Sequence, residues 1–208
     1  MIDLYTWGTP NGRKVSITLE EMGLEYRVHG VNIQKDEQFA PEFLRISPNN
    51  KIPAIVDGEQ AVFESAAILI YLAEKTGQFL PTSGPARVAV FEWLMFQMGG
   101  FGPVLGQAHH FLKFNPGKSA YAEDRFASEA ARLYSVLDRR LAETAYVAGA
   151  EMSIADFAIW PWASRFEWQQ IDMAAYENVT RWYRELAARP AFVAGYDVPS
   201  SGQIIPQP

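Results

Sequence analysis

The hydrophobic periodicity of this 208-residue chain changes character near residue 80, and that change limits the folds open to it. Before it, short alternating runs of strand type interleave with helical ones. After it, apolar residues recur only at helical spacing. Such a chain reads as two units of different class, an α/β domain followed by an all-α domain. In the first part, Ile2-Asp3-Leu4-Tyr5 has strand alternation, and the Gly8-Thr9-Pro10-Asn11-Gly12 cluster breaks it. Val15, Leu19 and Met22 then mark a helix stopped at Gly23. Residues 26–31 form a second strand, and a short helix over 41–46 ends before Pro48. Residues 52–56 and 61–63 flank an Asp57-Gly58 turn and predict a hairpin. Ala66, Leu69, Ile70 and Ala73 predict a helix to about Lys75, closed by Gly77. The order is βαβ followed by ββα.

Residues 78–85, with Pro81, Ser83, Gly84 and Pro85, read as a linker between a first domain over 1–77 and a helical domain over 86–197. In the latter, Phe126, Ala130, Leu133, Leu137 and Leu141 form one apolar stripe. Ser153-Ile154-Ala155-Asp156 is a capping-box pattern opening an apolar helix from Phe157 to Trp168. Val179, Trp182, Tyr183 and Leu186 give another helix, stopped near Pro190. Residues 198–208, rich in Pro, Ser, Gly and Gln, read as a loose tail.

Composition removes several function classes. A net charge of −6 and a pI near 5.1 speak against a nucleic-acid partner, whose phosphates need clustered Lys and Arg. No basic amphipathic stretch addresses a membrane surface, and no apolar run approaching the roughly 20 residues of a membrane span is expected. The first residues look like a strand and not a secretory leader, which places the protein in the cytoplasm. There is no cysteine, so disulfides, thiolate metal sites and a protein-borne Cys nucleophile are excluded. With three histidines besides, a metal site is not expected. His109 and His110 read as lining a cleft or packing between helices, and Phe111, Trp160 and Trp168 as core.

Three short segments carry chemistry. In Asn49-Asn50-Lys51-Ile52-Pro53-Ala54 a proline enters a strand, so it belongs at an edge or a strand start. A cis Ile52-Pro53 bond would turn the backbone of Ile52 outward toward a bound peptide, whereas a trans proline would only start an edge strand. Phe63-Glu64-Ser65 puts an acid and a hydroxyl where a strand passes into a helix. Helix-start N–H groups receive carboxylates and Glu64 could hold an ammonium, which suits the zwitterionic end of an amino acid. The plainer alternative makes Ser65 an ordinary N-cap. Thr9-Pro10-Asn11-Gly12 joins the first strand to the first helix, where a thiolate would be favoured. Its plainer alternative is Asn11 as the helix cap.

Together these segments resemble the thioredoxin-like half of cytosolic glutathione transferases, and the Ser153–Asp156 pattern resembles the capping motif of their helical half. The likeness runs over roughly residues 1–195. Within that family the chain looks closest to the bacterial Nu class. The residues carrying this are Thr9-Pro10-Asn11-Gly12, Gln38-Phe39, the run from Ile46 to Asp57 and the run from Gly102 to Phe111. The resemblance implies a thioredoxin-like α/β domain that binds glutathione, an all-α domain, and a homodimer. It also implies glutathione-dependent disulfide reduction, with some peroxidase and weak transferase activity. By the same likeness Ile52 would pair through its backbone with the cysteinyl part of glutathione, with Pro53 cis. Glu64 and Ser65 would hold the γ-glutamyl end. Asn11 and Gln38 would contact the tripeptide, Lys51 its glycyl carboxylate, and Arg125 would reach the γ-glutamyl carboxylate from the partner subunit. Thr9 and Asn11 would stand at the sulfur as hydrogen-bond donors favouring the thiolate. Tyr5 reads as packed, although strand parity alone leaves its role open.

Two other readings compete. One is a conventional transferase joining glutathione to electrophiles. The other is a binding module of the same fold without catalysis, against which the intact Asn11, Ile52-Pro53 and Glu64-Ser65 set argues.

Overall fold

In the computed structural model, which describes residues 1–208, Ile2, Leu4 and Thr6 of β1 (Ile2–Thr6) are buried while Asp3 and Tyr5 are partly open. That alternation fits a strand with one face on a core. β1 pairs in parallel with β2 (Tyr26–Gly30) and antiparallel with β3 (Ala54–Asp57), which pairs antiparallel with β4 (Gln60–Phe63). The sheet order is β2-β1-β3-β4. A parallel pair needs a crossover, and α1 (Pro10–Glu21) supplies it; α2 (Pro41–Leu44) precedes β3, and α3 (Ser65–Thr76) follows β4. The hairpin turns at Gly58, whose φ of +62° suits glycine, and α3 ends at Gly77 in the left-handed region. The thioredoxin-like order read from the sequence is the order observed.

The chain divides into two compact units, 1–80 with 187–205 and 81–186 with 206–208. This corrects the expected helical domain over 86–197 and the expected loose tail over 198–208. The sequence marks Pro190 as a helix stop, but it starts α9 (Pro190–Tyr196), because proline's missing N–H costs nothing in a first turn. α9 then packs on α1. Ser16 Oγ donates to Gly195 O at 2.6 Å, Arg13 Nε donates to Tyr196 O at 2.9 Å, and Arg189 grips Glu21 with two bonds of 2.5 and 2.7 Å. Gly195 lies so close to the Ile17 backbone that a Cβ there would overlap it. Beyond α9, Asp197 accepts backbone N–H bonds from Ser201, Gly202 and Gln203, and the Gln203 side chain accepts from Arg13. The tail is folded back on its own unit through residue 205.

In the helical unit, α6 (Ala120–Glu143) buries Ala130, Leu133, Leu137 and Leu141 as the periodicity requires, and Phe126 stacks on Phe111. α7 (Ile154–Ala163) is buried along its whole length and shorter than expected, since Phe166–Gln169 tightens into a 3-10 turn. α8 (Glu177–Ala187) follows. α4 (Gly84–Phe96) and α5 (Gly102–Ala108) are joined and extended by π turns at Gln97–Phe101 and His109–Phe114. The resulting 31-residue run, Gly84–Phe114, is long and apolar enough by length and composition to cross a membrane, contrary to the sequence expectation. Val90, Leu94, Phe101, Leu105 and Ala108 on it are buried and it packs against α6 and α7, with 33% of its most apolar window buried.

Candidate functional site

The strand register gathers the three chemistry-bearing segments at one end of the strands. Tyr5 stands opposite Ala54, and Ala54 opposite Phe63. Continued by one residue, the ladder brings Thr6, Pro53 and Glu64 level with one another. The end of β1, the start of β3 and the end of β4 therefore open on the same side.

The first segment is held by Thr9. It is the N-cap of α1, its Oγ1 accepting from Gly12 N at 3.2 Å, with Pro10 in the first turn. Asn11 is thereby released from the capping role that the sequence allowed it, and sits half-buried inside the first turn. A Cβ at Gly12 would overlap the Trp7 carbonyl and Thr6 Oγ1, so only glycine lets the helix start press on the strand end. Thr6 Oγ1 is buried without a hydrogen-bond partner. Tyr5 points to the other face of the sheet from Thr6. It stacks on His29 at 4.6 Å between ring centroids, packs against Phe43 and lines a cavity of about 250 Å³.

The second segment approaches through Asn50, which has φ +55°. Ser47 Oγ donates to Lys51 O at 2.8 Å and fixes the turn. The Ile52–Pro53 bond is cis. Lys51 is exposed, Ile52 half-buried and Pro53 buried.

The third segment departs most from an ordinary helix start. Glu64 is the N-cap of α3, with φ +69°, ψ +118° and no side-chain cap bond. Ser65 is the first helical residue, so the reading of Ser65 as a plain N-cap does not hold. A non-glycine residue in that backbone region carries about 1–3 kcal/mol of strain, and such residues concentrate where a site needs the geometry. Glu64 is exposed and Ser65 buried. Behind them Lys14 of α1 donates from Nζ to Ser65 Oγ at 3.2 Å. Lys14 is fully buried; desolvation lowers its pKa to about 7, and the Glu64 charge pulls it back up. Lys14 escaped the sequence reading because it lies just before the apolar position Val15 with no motif of its own.

Two expected residues lie outside these three segments. Gln38 lies in the 3-10 turn Glu37–Phe39, on the segment that leaves β2 beyond Gly30, and its Oε1 is buried without a partner. Arg125 belongs to the helical unit, exposed on α6, where it lines a cavity of about 660 Å³ with Tyr121, Asp124, Glu129 and Arg132. His109 is a packing residue. It is buried, takes a hydrogen-bond contact of 3.1 Å from Gln169 Nε2, and desolvation together with Arg165 lowers its pKa to about 4, so it stays neutral. His110 is exposed. No group of three or more His, Asp or Glu side chains is arranged to hold a metal ion.

Comparison with known proteins shows the family. Residues 1–74 match the family model of the glutathione S-transferase N-terminal domain, and residues 101–190 that of its C-terminal domain. The chain is 50% identical over 198 residues to the disulfide-bond oxidoreductase YfcG of Escherichia coli, covering 92% of each. A glutathione transferase from Burkholderia graminis, solved with two glutathione molecules bound per subunit, superposes with a TM-score of 0.90 at 42% identity, over 97% of this chain and 89% of that one. One from Pseudomonas putida, solved with one glutathione disulfide bound per subunit, gives 0.89 at 43% identity over 96% and 92%.

Proposed function

Because this chain belongs to the glutathione S-transferase family, we propose that it is a glutathione-dependent disulfide-bond reductase of the Nu type. The observation that carries the reading is the convergence of Thr9–Asn11, Ile52–Pro53 and Glu64–Ser65 at one end of the strands. An extended tripeptide laid there meets three kinds of partner in turn. Glu64, Ser65 and the uncapped start of α3 suit its γ-glutamyl head. The Ile52 backbone suits its cysteinyl amide, and Lys51 suits the glycyl carboxylate. Thr9 and Asn11, at the opening of α1, suit the sulfur, where hydrogen-bond donors and a helix N-terminus favour the thiolate over a thiol of ordinary pKa near 8.5. Gln38 and, from the partner subunit of a homodimer, Arg125 complete the set that the family likeness assigns.

The missing cysteine fixes the order of bond changes. No protein thiolate can enter, so the nucleophile is glutathione's own thiolate. It attacks one sulfur of the substrate disulfide, forms a mixed disulfide and expels the other sulfur as thiolate. A second glutathione thiolate then attacks the mixed disulfide, giving glutathione disulfide and a second released thiolate. Two glutathiones are oxidised for each disulfide reduced. The chain's part is to hold the first thiolate ionised and aimed. Relatives solved with two glutathiones, or with glutathione disulfide, support that stoichiometry. The family setting supports action as a cytoplasmic homodimer, and peroxide reduction and slow conjugation are expected side activities.

The test compares rates with bis(2-hydroxyethyl) disulfide and with 1-chloro-2,4-dinitrobenzene at equal glutathione. Faster disulfide turnover, well above the uncatalysed exchange, is expected. Conjugation alone would make the protein a conventional transferase, and calorimetry without any glutathione binding would make it a non-catalytic module.

A further inference from the structure

The segment that leaves β1, Trp7-Gly8-Thr9, has no regular structure and is half-buried, and the start of α1 hangs from it. Thr9 N donates to Trp7 O at 2.6 Å, and Gly12 presses on the same carbonyl, so Thr9 and Asn11 move with this backbone. A glycine in such a loop is free to move unless something outside the loop holds it. What lies against it comes from the far end of the chain. A Cβ added at Gly8 would stand 2.7 Å from Gln203 Nε2, and one at Gly30 would meet Pro199 at 3.6 Å and the Trp7 ring at 3.7 Å. Residues 199–203 thus cover the connection between β1 and α1.

That cover is itself held. Asp197 accepts from the backbone N–H groups of Gln203, Ser201 and Gly202 and from the hydroxyls of Ser200 and Ser201, which keeps its carboxyl far below the usual carboxylate range. The Gln203 amide is fixed at both ends: Oε1 accepts from Arg13 Nη2, and Nε2 donates to Ser201 Oγ at 2.9 Å. Arg13 is fully buried, donates from Nε to Tyr196 O at 2.9 Å and lies over the Tyr196 ring at 3.6 Å. It stands two positions after Asn11, so one buried cation ties the tail to the opening of α1. A tail needed only to stabilise its unit could stop at α9, whose bonds through Ser16 and Arg189 involve none of residues 199–203.

We propose that Gln203 is a positioning residue for the reaction: held by Arg13 and the Asp197 loop, it fixes the Gly8 backbone and with it the aim of the Thr9 and Asn11 donors at the glutathione sulfur. This rests on the reading that the sulfur is received at the start of α1, and extends it to the residue that keeps that start in place. Donors that stabilise a charge lose much of their worth when they are displaced, whereas Ile52, Glu64 and Ser65 lie on other segments and keep their hold on the tripeptide.

The experiment titrates the ultraviolet absorbance of glutathione thiolate bound to the full chain. The protein has no cysteine, so the thiolate signal is the ligand's own. In wild type the bound thiol should ionise below the free value of about 8.5. In Gln203→Ala that pKa should rise by about 0.5–1 unit, and kcat with a disulfide substrate at lower pH should fall about three- to tenfold. KM for glutathione should stay within about twofold of wild type, because uniform binding is left in place. Gly8→Ala, which drives a methyl into the Gln203 amide, should act in the same way, and the double variant should be no worse than either single one, since both remove one contact. Fully additive losses, or reduced unfolding stability with thiol pKa and kcat unmoved, would overturn the proposal. Gly8→Ala leaves the tail sequence intact and reads the same contact should Gln203→Ala prove insoluble. A wild type that binds glutathione with its thiol at the ordinary pKa would instead remove the sulfur from the start of α1, and the role of Gln203 with it.

Discussion

Two helices of this protein begin with an acid and a serine, and they use them in opposite ways. At the start of α7, Ser153 and Asp156 form a complete capping box. Asp156 is fully buried, and its two oxygens accept from Val147 N at 3.0 Å, Ser153 N at 2.9 Å, Ser153 Oγ at 3.2 Å and Trp182 Nε1 at 2.9 Å. At the start of α3, Glu64 is exposed, caps nothing and sits in a strained backbone conformation, while Ser65 leans on a buried lysine. One helix start spends all its polar capacity inward and is structural. The other leaves its Glu64 carboxylate exposed and out of the cap. Under the proposed function, whether the fold consumes the acid, and not the residue type alone, separates a binding helix start from a structural one.

The contrast is most easily broken at Asp156. Asp156→Ala strands buried backbone, indole and hydroxyl donors together and should cost about 3–5 kcal/mol in denaturant unfolding. Loss of less than about 1 kcal/mol would mean that α7 does not depend on its cap. Burial raises the Asp156 carboxyl from 3.8 to about 6, against the four donors that pull it down. A carboxyl whose folded pKa is raised contributes stability that is complete below pH 3.8 and is lost as pH climbs through about 6. The stability of wild type relative to Asp156→Asn should therefore shrink between pH 4 and pH 6 and level off above. The opposite slope would show that the donors outweigh the burial.

Ser65→Ala sharpens the other side. It takes one acceptor from Lys14 and one donor from the corner, so it should cost only about 1 kcal/mol of stability. Glutathione affinity should nonetheless fall about tenfold or more, the worth of a hydrogen bond to a charged group. Unchanged affinity would remove Ser65 from the site.

The division between these two helix starts was only half visible in the sequence. Ser153-x-x-Asp156 announces itself, since the capping box is local and each partner lies within one turn of the other. The hairpin, the α1 and α3 stripes and the Gly77 stop were legible for the same reason. What escaped depends on residues far apart in the chain. α9 and the tail fold onto α1 through Ser16–Gly195 and Arg13–Tyr196 contacts spanning about 180 positions, which no periodicity reports. Lys14 meets Ser65 across 51 positions. The candidate site could be named segment by segment, but its convergence is a property of strand register, and only the fold shows Tyr5 stacked on His29 on the face opposite Thr6. The apolar run from Gly84 was not read as one helix, and a π turn at Gln97–Phe101 carries it through Gly99 and Gly100.

The smallest effect tests whether α3 truly pays for its readiness in its backbone. Glu64 has φ +69° and ψ +118°, a combination that strains any side chain with a Cβ. Replacing it by glycine removes the strain but also removes a charge beside Lys14, so that exchange alone mixes two effects. Glu64→Ala removes the charge and keeps the Cβ. The difference between Glu64→Gly and Glu64→Ala therefore isolates the backbone, and glycine should come out more stable by about 1 kcal/mol after its greater unfolded-state freedom is counted. Both variants should lose glutathione affinity to a similar degree, because both lack the carboxylate proposed to hold the ammonium. An alanine protein as stable as the glycine one would show that the conformation costs nothing, and the start of α3 would then be an uncapped helix end without stored strain.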